Sequence, residues 1–135
     1  MVLILCTANS ARSQMAEGLL RELAADRADV CSAGAKPSDV NPYAIAAMRE
    51  RGIDISSQSS DHLGKYLETE FDYVITVCDN AAETCPVFPG RALRIHWSFP
   101  DPAAVSGEHD DVLRSFIKVR DGMERRLQEW FSSLG

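Results

Sequence analysis

The stretch Val2–Ser13, VLILCTANSARS, decides the fold of this chain. The apolar run Val2–Leu5 ends abruptly at Cys6, and after five further residues come Arg12, Ser13 and a helical pattern. This order predicts a buried strand, a tight loop and the N-terminus of a helix. Backbone N–H groups at a helix start converge on whatever lies in front of them and carry a partial positive charge. The stretch therefore predicts a loop that binds a tetrahedral oxyanion between a thiol and a guanidinium.

Cys6 has two interpretations, and the favoured one is a nucleophilic thiolate. The guanidinium of Arg12 can bind two oxygens of an oxyanion through parallel, charge-assisted hydrogen bonds. A free thiol titrates near 8.5, whereas one at a helix N-terminus beside a cation falls to roughly 3.5–7.5. Ser10 and Ser13 are predicted to add hydroxyl donors to the sulfur. The alternative is a buried cysteine that ends a strand, because cysteine is among the most buried residue types.

Length and composition limit what the chain can be. Its 135 residues predict one domain, 1–135, large enough for a hydrophobic core. No apolar run approaches the roughly 20 residues of a membrane span, and no signal peptide is recognised, so we expect a cytoplasmic protein with no membrane partner. The net charge of −6 and the lack of a basic stripe argue against nucleic acid as a partner. We expect a monomer.

Apolar periodicity and turn residues predict the other elements. Strands are predicted at Val30–Gly34, Phe71–Val77 and Leu93–Ile95, and helices from the loop to about Asp26, from Pro42 to Gly52, over Asp61–Leu67 and over Asp110–Trp130. Asp79–Thr84 is predicted as a helical turn or a loop. Strands that alternate with helices imply parallel βαβ units and a three-layer α/β domain. If the first and third strands are neighbours, Cys6 and Cys78 end on the same edge of the sheet, where such folds bind ligands.

The other cysteines are Cys31, Cys78 and Cys85. In a cytosolic chain, cysteines are more often catalytic or metal-binding than part of structural disulfides. No spacing among them is typical of a zinc site, so we expect no thiolate-bound metal. Cys31 is predicted to be a core thiol. Cys78 and Cys85 are either a redox pair or two unreactive buried thiols.

Three segments resemble known proteins. The loop resembles that of the low-molecular-weight tyrosine phosphatase superfamily, and the longer string Cys6–Gly18, CTANSARSQMAEG, resembles its arsenate reductase branch. Cys78–Pro86, CDNAAETCP, resembles the redox segment of thioredoxin-coupled arsenate reductases, and His96–Ala103, HWSFPDPA, resembles the stretch that carries their acid. The resemblance implies a flavodoxin-like fold whose four-stranded parallel sheet has the order 2-1-3-4.

The resemblance also implies a role for each site residue. Cys6 attacks arsenate, and Asp101 protonates the departing oxygen; the alternative for Asp101 is a loop carboxylate in an Asp-Pro turn. Cys78 resolves the adduct by forming a Cys6–Cys78 disulfide. Cys85 then takes the place of Cys6, which leaves a Cys78–Cys85 disulfide. Thioredoxin reduces this disulfide and so supplies the electrons, without any bound cofactor. The residues implied to bind the substrate are Thr7, Ala8, Asn9, Ser10, Ala11, Arg12 and Ser13.

A potassium site is the remaining feature that the resemblance suggests. Some members of the family hold this ion at positions matched here by Asn9, Glu17, Ser32, Ser59 and Asp61. Oxygen ligands suit a hard cation, although a serine stands where a threonine is frequent. The alternative is that Asn9 braces the loop.

Three other functions stay open on the sequence. A tyrosine phosphatase would use Cys6, Arg12 and Asp101, and weak phosphatase side activity is expected in any case. However, Ala103 and Ala104 stand where tyrosines usually follow the acid's proline in such phosphatases. A single-cysteine reductase would pass arsenate to mycothiol or glutathione. The third alternative is a non-catalytic module that binds anions or senses redox state.

Overall fold

The strands and helices alternate along the chain. The computed structural model describes residues 1–79, 86–104 and 106–134. Its elements are strands β1 (Val2–Cys6), β2 (Val30–Gly34), β3 (Tyr73–Thr76) and β4 (Leu93–His96), and helices α1 (Arg12–Ala24), α2 (Pro42–Glu50) and α3 (His109–Ser133). Two short 3-10 helices cover Leu63–Tyr66 and Pro102–Ala104. No helix in these ranges is long and apolar enough to cross a membrane.

All four strands are parallel and form one sheet in the order β2-β1-β3-β4. The predicted strand order and α/β fold class are therefore confirmed. β1 lies in the interior of the sheet, and every residue of Val2–Cys6 is buried. Its last residue, Cys6, pairs with Gly34 of β2, and Leu5 pairs with Thr76 of β3. Because parallel strands share a direction, the carboxyl ends of β1, β2 and β3 meet at one edge.

The core is divided between the two faces of this sheet. Alternate residues of β1 point to opposite faces, so Ile4 belongs to one hydrophobic cluster and Leu5 to the other. The first cluster contains the apolar sides of α1, α2 and α3. The second is closed by Phe71 and Phe88, with Tyr66 of the first 3-10 helix packed against it. The three long helices thus cover one face, and in the described part of the chain the opposite layer consists of loops and a short helix.

Several boundaries differ from those predicted. β3 is shorter than Phe71–Val77, although the Val77 N–H still donates to the Leu5 carbonyl at 3.0 Å. The predicted helix at Asp61–Leu67 is the 3-10 helix Leu63–Tyr66, which is capped by the His62 ring. α3 is longer than Asp110–Trp130 at both ends. Of the segment predicted as a helical turn or loop, residues 80–84 lie outside the described part of the chain.

Candidate active site

The loop of residues 7–11 between β1 and α1 is held by the side chain of Asn9. Asn9 has a φ of 47°, in the left-handed region that asparagine tolerates better than most residues. Its Oδ1 accepts a hydrogen bond from Ser13 Oγ at 2.7 Å, and its carbonyl accepts one from Gln14 Nε2 at 2.9 Å. All three residues are buried. Asn9 therefore braces the loop against the first turn of α1.

Gly34 allows this loop to approach β2. A Cβ atom on Gly34 would lie 2.6 Å from the Thr7 carbonyl oxygen, and 2.9 Å from both the Asn9 nitrogen and the Cys6 carbonyl oxygen. All three are backbone atoms of the tight turn that follows β1, so they cannot move aside as a flexible side chain would. The glycine that ends β2 is therefore a requirement of the loop's shape.

The segment of residues 36–41 forms the outer wall of the loop. The backbone N–H groups of Lys36, Ser38 and Asn41 donate to the carbonyls of Thr7, Ala8 and Ser10 at 2.9, 3.1 and 2.9 Å. In a trans peptide, a carbonyl and the following N–H point in opposite directions. The N–H groups that follow these three carbonyls are therefore directed away from the outer wall, as an anion-binding loop requires.

A cavity of about 160 Å³ opens at this loop. It is smaller than the roughly 300–1,000 Å³ typical of pockets for drug-sized ligands, so it suits a small ion. The predicted site residues that line it are Cys6, Ala8, Asn9, Ser10, Ala11, Arg12 and Asp101. The cavity therefore brings together the predicted nucleophile, guanidinium and acid, which lie up to 95 positions apart in the sequence.

Arg12 and Asp101 are each fixed by a backbone group. Arg12 is the first residue of α1 and is 5% exposed, and its Nη1 donates to the Phe99 carbonyl at 3.0 Å. Asp101 Oδ1 accepts the Ala103 N–H at 3.0 Å and so caps the second 3-10 helix. Both side chains therefore have defined orientations at the cavity.

The whole chain, residues 1–135, matches the family described as low molecular weight phosphotyrosine protein phosphatase. The chain belongs to this family. The arsenate reductase of Halalkalibacterium halodurans is 44% identical over 127 residues, which cover 94% of this chain and 91% of that protein. A solved structure of an arsenate reductase in the oxidized state superposes with a TM-score of 0.82 at 34% identity, covering 99% of this chain and 98% of that one.

A third relative is the thioredoxin-dependent arsenate reductase of Corynebacterium glutamicum. Its structure superposes with a TM-score of 0.73 at 27% identity, and the match covers 98% of this chain and 60% of that one. Proteins that are named as arsenate reductases thus match this chain over nearly its whole length.

The cysteines of this family member have different environments. Cys6 is 3% exposed and Cys78 is fully buried. Cys6 and Cys31 carry thiols, whereas Cys78 takes part in a disulfide. Cys78 follows β3, the neighbour of β1, so both Cys6 and Cys78 lie at the carboxyl edge of the sheet. The predicted partner of Cys78, Cys85, lies outside the described residues.

Cys31 differs from its prediction as a core thiol. It is only half-buried: it packs against the second core cluster and lines a second cavity of about 240 Å³. Burial raises the pKa of this thiol, which shares a hydrogen bond with Tyr66. Cys31 is therefore separate from the cavity that contains Cys6.

Ser10 and Ser13 do not direct their hydroxyls at the sulfur of Cys6. Ser10 Oγ donates to the Asp39 carbonyl at 2.8 Å, and Ser13 Oγ donates to Asn9. A hydroxyl has a single proton, so both of these donors serve the loop instead. Among the described residues, Thr7 and Ser13 are not part of the cavity lining, so their predicted role in substrate binding stays a prediction.

The residues suggested for potassium form two hydrogen-bonded pairs. Ser32 Oγ donates to Glu17 Oε1 at 2.5 Å, and Ser59 Oγ donates to Asp61 Oδ2 at 2.9 Å. Burial raises the pKa of Glu17, although Ser32 and the Arg21 guanidinium, 2.8 Å from Glu17 Oε2, act in the opposite direction. Within residues 1–79, 86–104 and 106–134, no group of three or more His, Cys, Asp or Glu side chains could hold a metal ion.

Ser38, Asn41 and Ala103 also line the cavity around Cys6, and the sequence analysis missed all three as site residues. The segment of residues 36–41 has no apolar periodicity, so nothing local shows that it folds over the loop. The predicted helix start at Pro42 is confirmed, and Asn41 is the N-cap of this helix. A helix start alone does not indicate that the preceding residue lines a cavity.

Proposed function

We propose that this protein is an arsenate reductase that works through Cys6, Cys78 and Cys85 and is regenerated by thioredoxin. The proposal rests on one observation above all: Cys6 shares a small cavity with Arg12 and Asp101, at the sheet edge where Cys78 also lies. The 44% identical arsenate reductase supports arsenate as the substrate. The thioredoxin-dependent relative supports thioredoxin as the electron donor.

In the first step, the Cys6 thiolate attacks the arsenic atom of arsenate. Arg12 and the loop N–H groups bind the arsenate oxygens and stabilise the charge that develops on them. The hydroxyl group of arsenate opposite the sulfur takes a proton from Asp101 and departs as water. The product is a Cys6–arsenic adduct in which arsenic is still pentavalent.

In the second step, the Cys78 thiolate attacks the sulfur of Cys6. A Cys6–Cys78 disulfide forms and the sulfur–arsenic bond breaks. The electron pair of that bond leaves with arsenic, so arsenate is reduced to arsenite by two electrons while two thiols are oxidised. As in thiol–disulfide exchange, a thiolate attacks a sulfur atom, so the rate depends on the thiolate fraction and on access.

In the third step, the Cys85 thiolate attacks Cys78 and releases Cys6 as a thiolate. Thioredoxin then reduces the Cys78–Cys85 disulfide and returns the enzyme to its starting state. We expect this cycle to run in the cytoplasm, where thiols are kept reduced, and in a monomer, because one chain carries all the groups that the steps require.

A potassium ion is a further part of the proposal. Asn9, Glu17, Ser32, Ser59 and Asp61 offer the oxygen ligands that a hard cation prefers. The Nδ2 atom of Asn9 is buried and, among the described residues, is the one such side-chain atom without a hydrogen-bond partner. A rotated amide would present an oxygen there instead, which fits a cation, while Nδ2 would donate to Ser13 Oγ and keep the loop braced. The melting temperature in KCl should then exceed that in choline chloride, and equal values would count against the site.

Phosphatase activity is the second candidate function. Attack of Cys6 on a phosphate monoester needs only Arg12 and Asp101 besides the loop, and the same cavity holds all of these side chains. We expect slow hydrolysis of p-nitrophenyl phosphate that survives Cys78→Ser. A rate that vanishes in Cys78→Ser would contradict this expectation.

Steady-state turnover tests the main proposal. Arsenate should drive NADPH oxidation in the presence of thioredoxin and thioredoxin reductase. Cys78→Ser should abolish this turnover, whereas Cys31→Ser, which removes a thiol outside the proposed relay, should leave it unchanged. Turnover in Cys78→Ser, or none in the unaltered protein, would overturn the proposal.

A further inference from the structure

Asn41 lines the Cys6 cavity, and most of its polar groups already take part in hydrogen bonds. Its backbone N–H donates to the Ser10 carbonyl at 2.9 Å, and its carbonyl accepts the Ile45 N–H at 3.1 Å. Its side-chain Oδ1 accepts the Tyr43 N–H at 2.8 Å and so caps α2. The remaining group of this residue is the Nδ2 amide, a neutral donor with two hydrogens.

The position of Asn41 differs from that of the loop donors. The loop and Arg12 follow directly after Cys6 in the chain, whereas Asn41 lines the same cavity from the outer wall, as Ser38 does. The double anchoring of Asn41, to the loop through Ser10 and to α2 through Tyr43, restricts its movement. A fixed donor costs less conformational entropy on binding than a mobile one.

We propose that Asn41 is a substrate-binding residue that favours free inorganic oxyanions over phosphate monoesters. Its Nδ2 donates a hydrogen bond to an outer oxygen of a tetrahedral oxyanion bound in the loop. In arsenate or phosphate that oxygen is charged or carries only a proton, and it is a strong acceptor. In an aryl monoester the outward oxygen bears the ring, which makes it a poorer acceptor and fills the mouth of the cavity.

The role of Asn41 as a helix cap has to be separated from this binding role. Asn41→Ser removes the Nδ2 donor but keeps a capping oxygen, since serine caps helices about as well as asparagine. Asn41→Ala removes both the donor and the cap. Asn41→Asp keeps the cap and the shape but replaces the donor with a charged acceptor.

Calorimetric titration of the reduced protein with inorganic phosphate tests the proposal without any turnover. The Kd should rise roughly tenfold in Asn41→Ser, as expected for the loss of one hydrogen bond to a charged group. It should rise further in Asn41→Asp. The melting temperatures of both variants should stay near that of the unaltered protein, whereas Asn41→Ala should melt roughly 4 °C lower.

Kinetics then test the selectivity. KM for arsenate should rise in Asn41→Ser by about the same factor as the phosphate Kd, whereas KM for p-nitrophenyl phosphate should change less than about twofold. An unchanged phosphate Kd in both capping variants would overturn the inference, as would equal losses for the oxyanion and the ester. The arsenate measurement rests on the proposed function, but the phosphate titration does not. A protein that binds phosphate through Asn41 and fails to reduce arsenate would refute the proposed function alone.

Discussion

Arg12 donates a hydrogen bond from Nη1 to the carbonyl oxygen of Phe99 at 3.0 Å, across 87 positions of the sequence. This bond ties the first residue of α1 to the loop that leads into Asp101. The guanidinium that we propose to bind the oxyanion is therefore held by the segment that carries the proposed acid. A lysine at position 12 would have neither the planar fork nor the same reach.

Replacement of Arg12 with lysine tests this relationship. Arg12→Lys should lower kcat/KM for arsenate by roughly a hundredfold, because the paired hydrogen bonds to two oxygens are lost. Arg114→Lys is a matched control, since Arg114 is exposed on α3 and forms an ion pair with Asp111 at 3.7 Å, away from the cavity lining. Comparable losses in both variants, or none in Arg12→Lys, would contradict the role of the guanidinium.

The state of the Cys6 thiol is a second prediction. Cys6 lies before the N-terminus of α1 and shares a cavity with Arg12, and both features stabilise a thiolate. In a variant with serine at the other three cysteines, thiolate absorbance at 240 nm should give a pKa for Cys6 well below the usual value of about 8.5. A pKa at or above the usual value would remove the basis for nucleophilic attack.

Gly34 provides a third prediction. Gly34→Ala would press a methyl group against the Thr7 carbonyl at 2.6 Å, so it should cost about 1–3 kcal/mol of stability and greatly weaken phosphate binding. Gly52→Ala is the control, because Gly52 has a φ of +89° but nothing within 4 Å of the added Cβ. That variant should lose about 1 kcal/mol through backbone strain and keep its phosphate affinity. Normal binding in Gly34→Ala would show that the loop does not need the glycine.

Much of this site could be predicted because its determinants are local. The run Val2–Leu5 is apolar at every position, which is typical of a strand buried on both faces, and the thiol and guanidinium follow at fixed spacing. The outer wall, which includes Ser38 and Asn41, could not be predicted, because it depends on backbone hydrogen bonds between segments about 30 positions apart. The prediction that the Ser10 hydroxyl donates to the sulfur of Cys6 was wrong for a related reason. Its single proton goes to the Asp39 carbonyl, which lies next to Ser10 because of the fold.

Glu17 gives a prediction about pH. Burial raises the pKa of Glu17 in the folded protein, so the unfolded chain releases this proton at a lower pH. The contribution of Glu17 to the free energy of unfolding is therefore complete below its pKa in the unfolded chain, about 4.3. It is lost as the pH rises through its pKa in the folded protein. Glu17→Gln has no such titration. Urea denaturation should show the variant gaining stability relative to the unaltered protein as the pH rises from 4 to 8, and a constant difference would contradict the assignment.

Trapping of the disulfide intermediate tests the central claim most directly. Cys85→Ser is given one equivalent of arsenate, and its disulfides are mapped by mass spectrometry after quenching with a thiol-alkylating reagent. We predict about one arsenite released per protein and a Cys6–Cys78 disulfide, because the resolving step still occurs and the transfer to position 85 does not. Sustained multiple turnover of this variant with thioredoxin, or arsenite release without a Cys6–Cys78 disulfide, would contradict the relay.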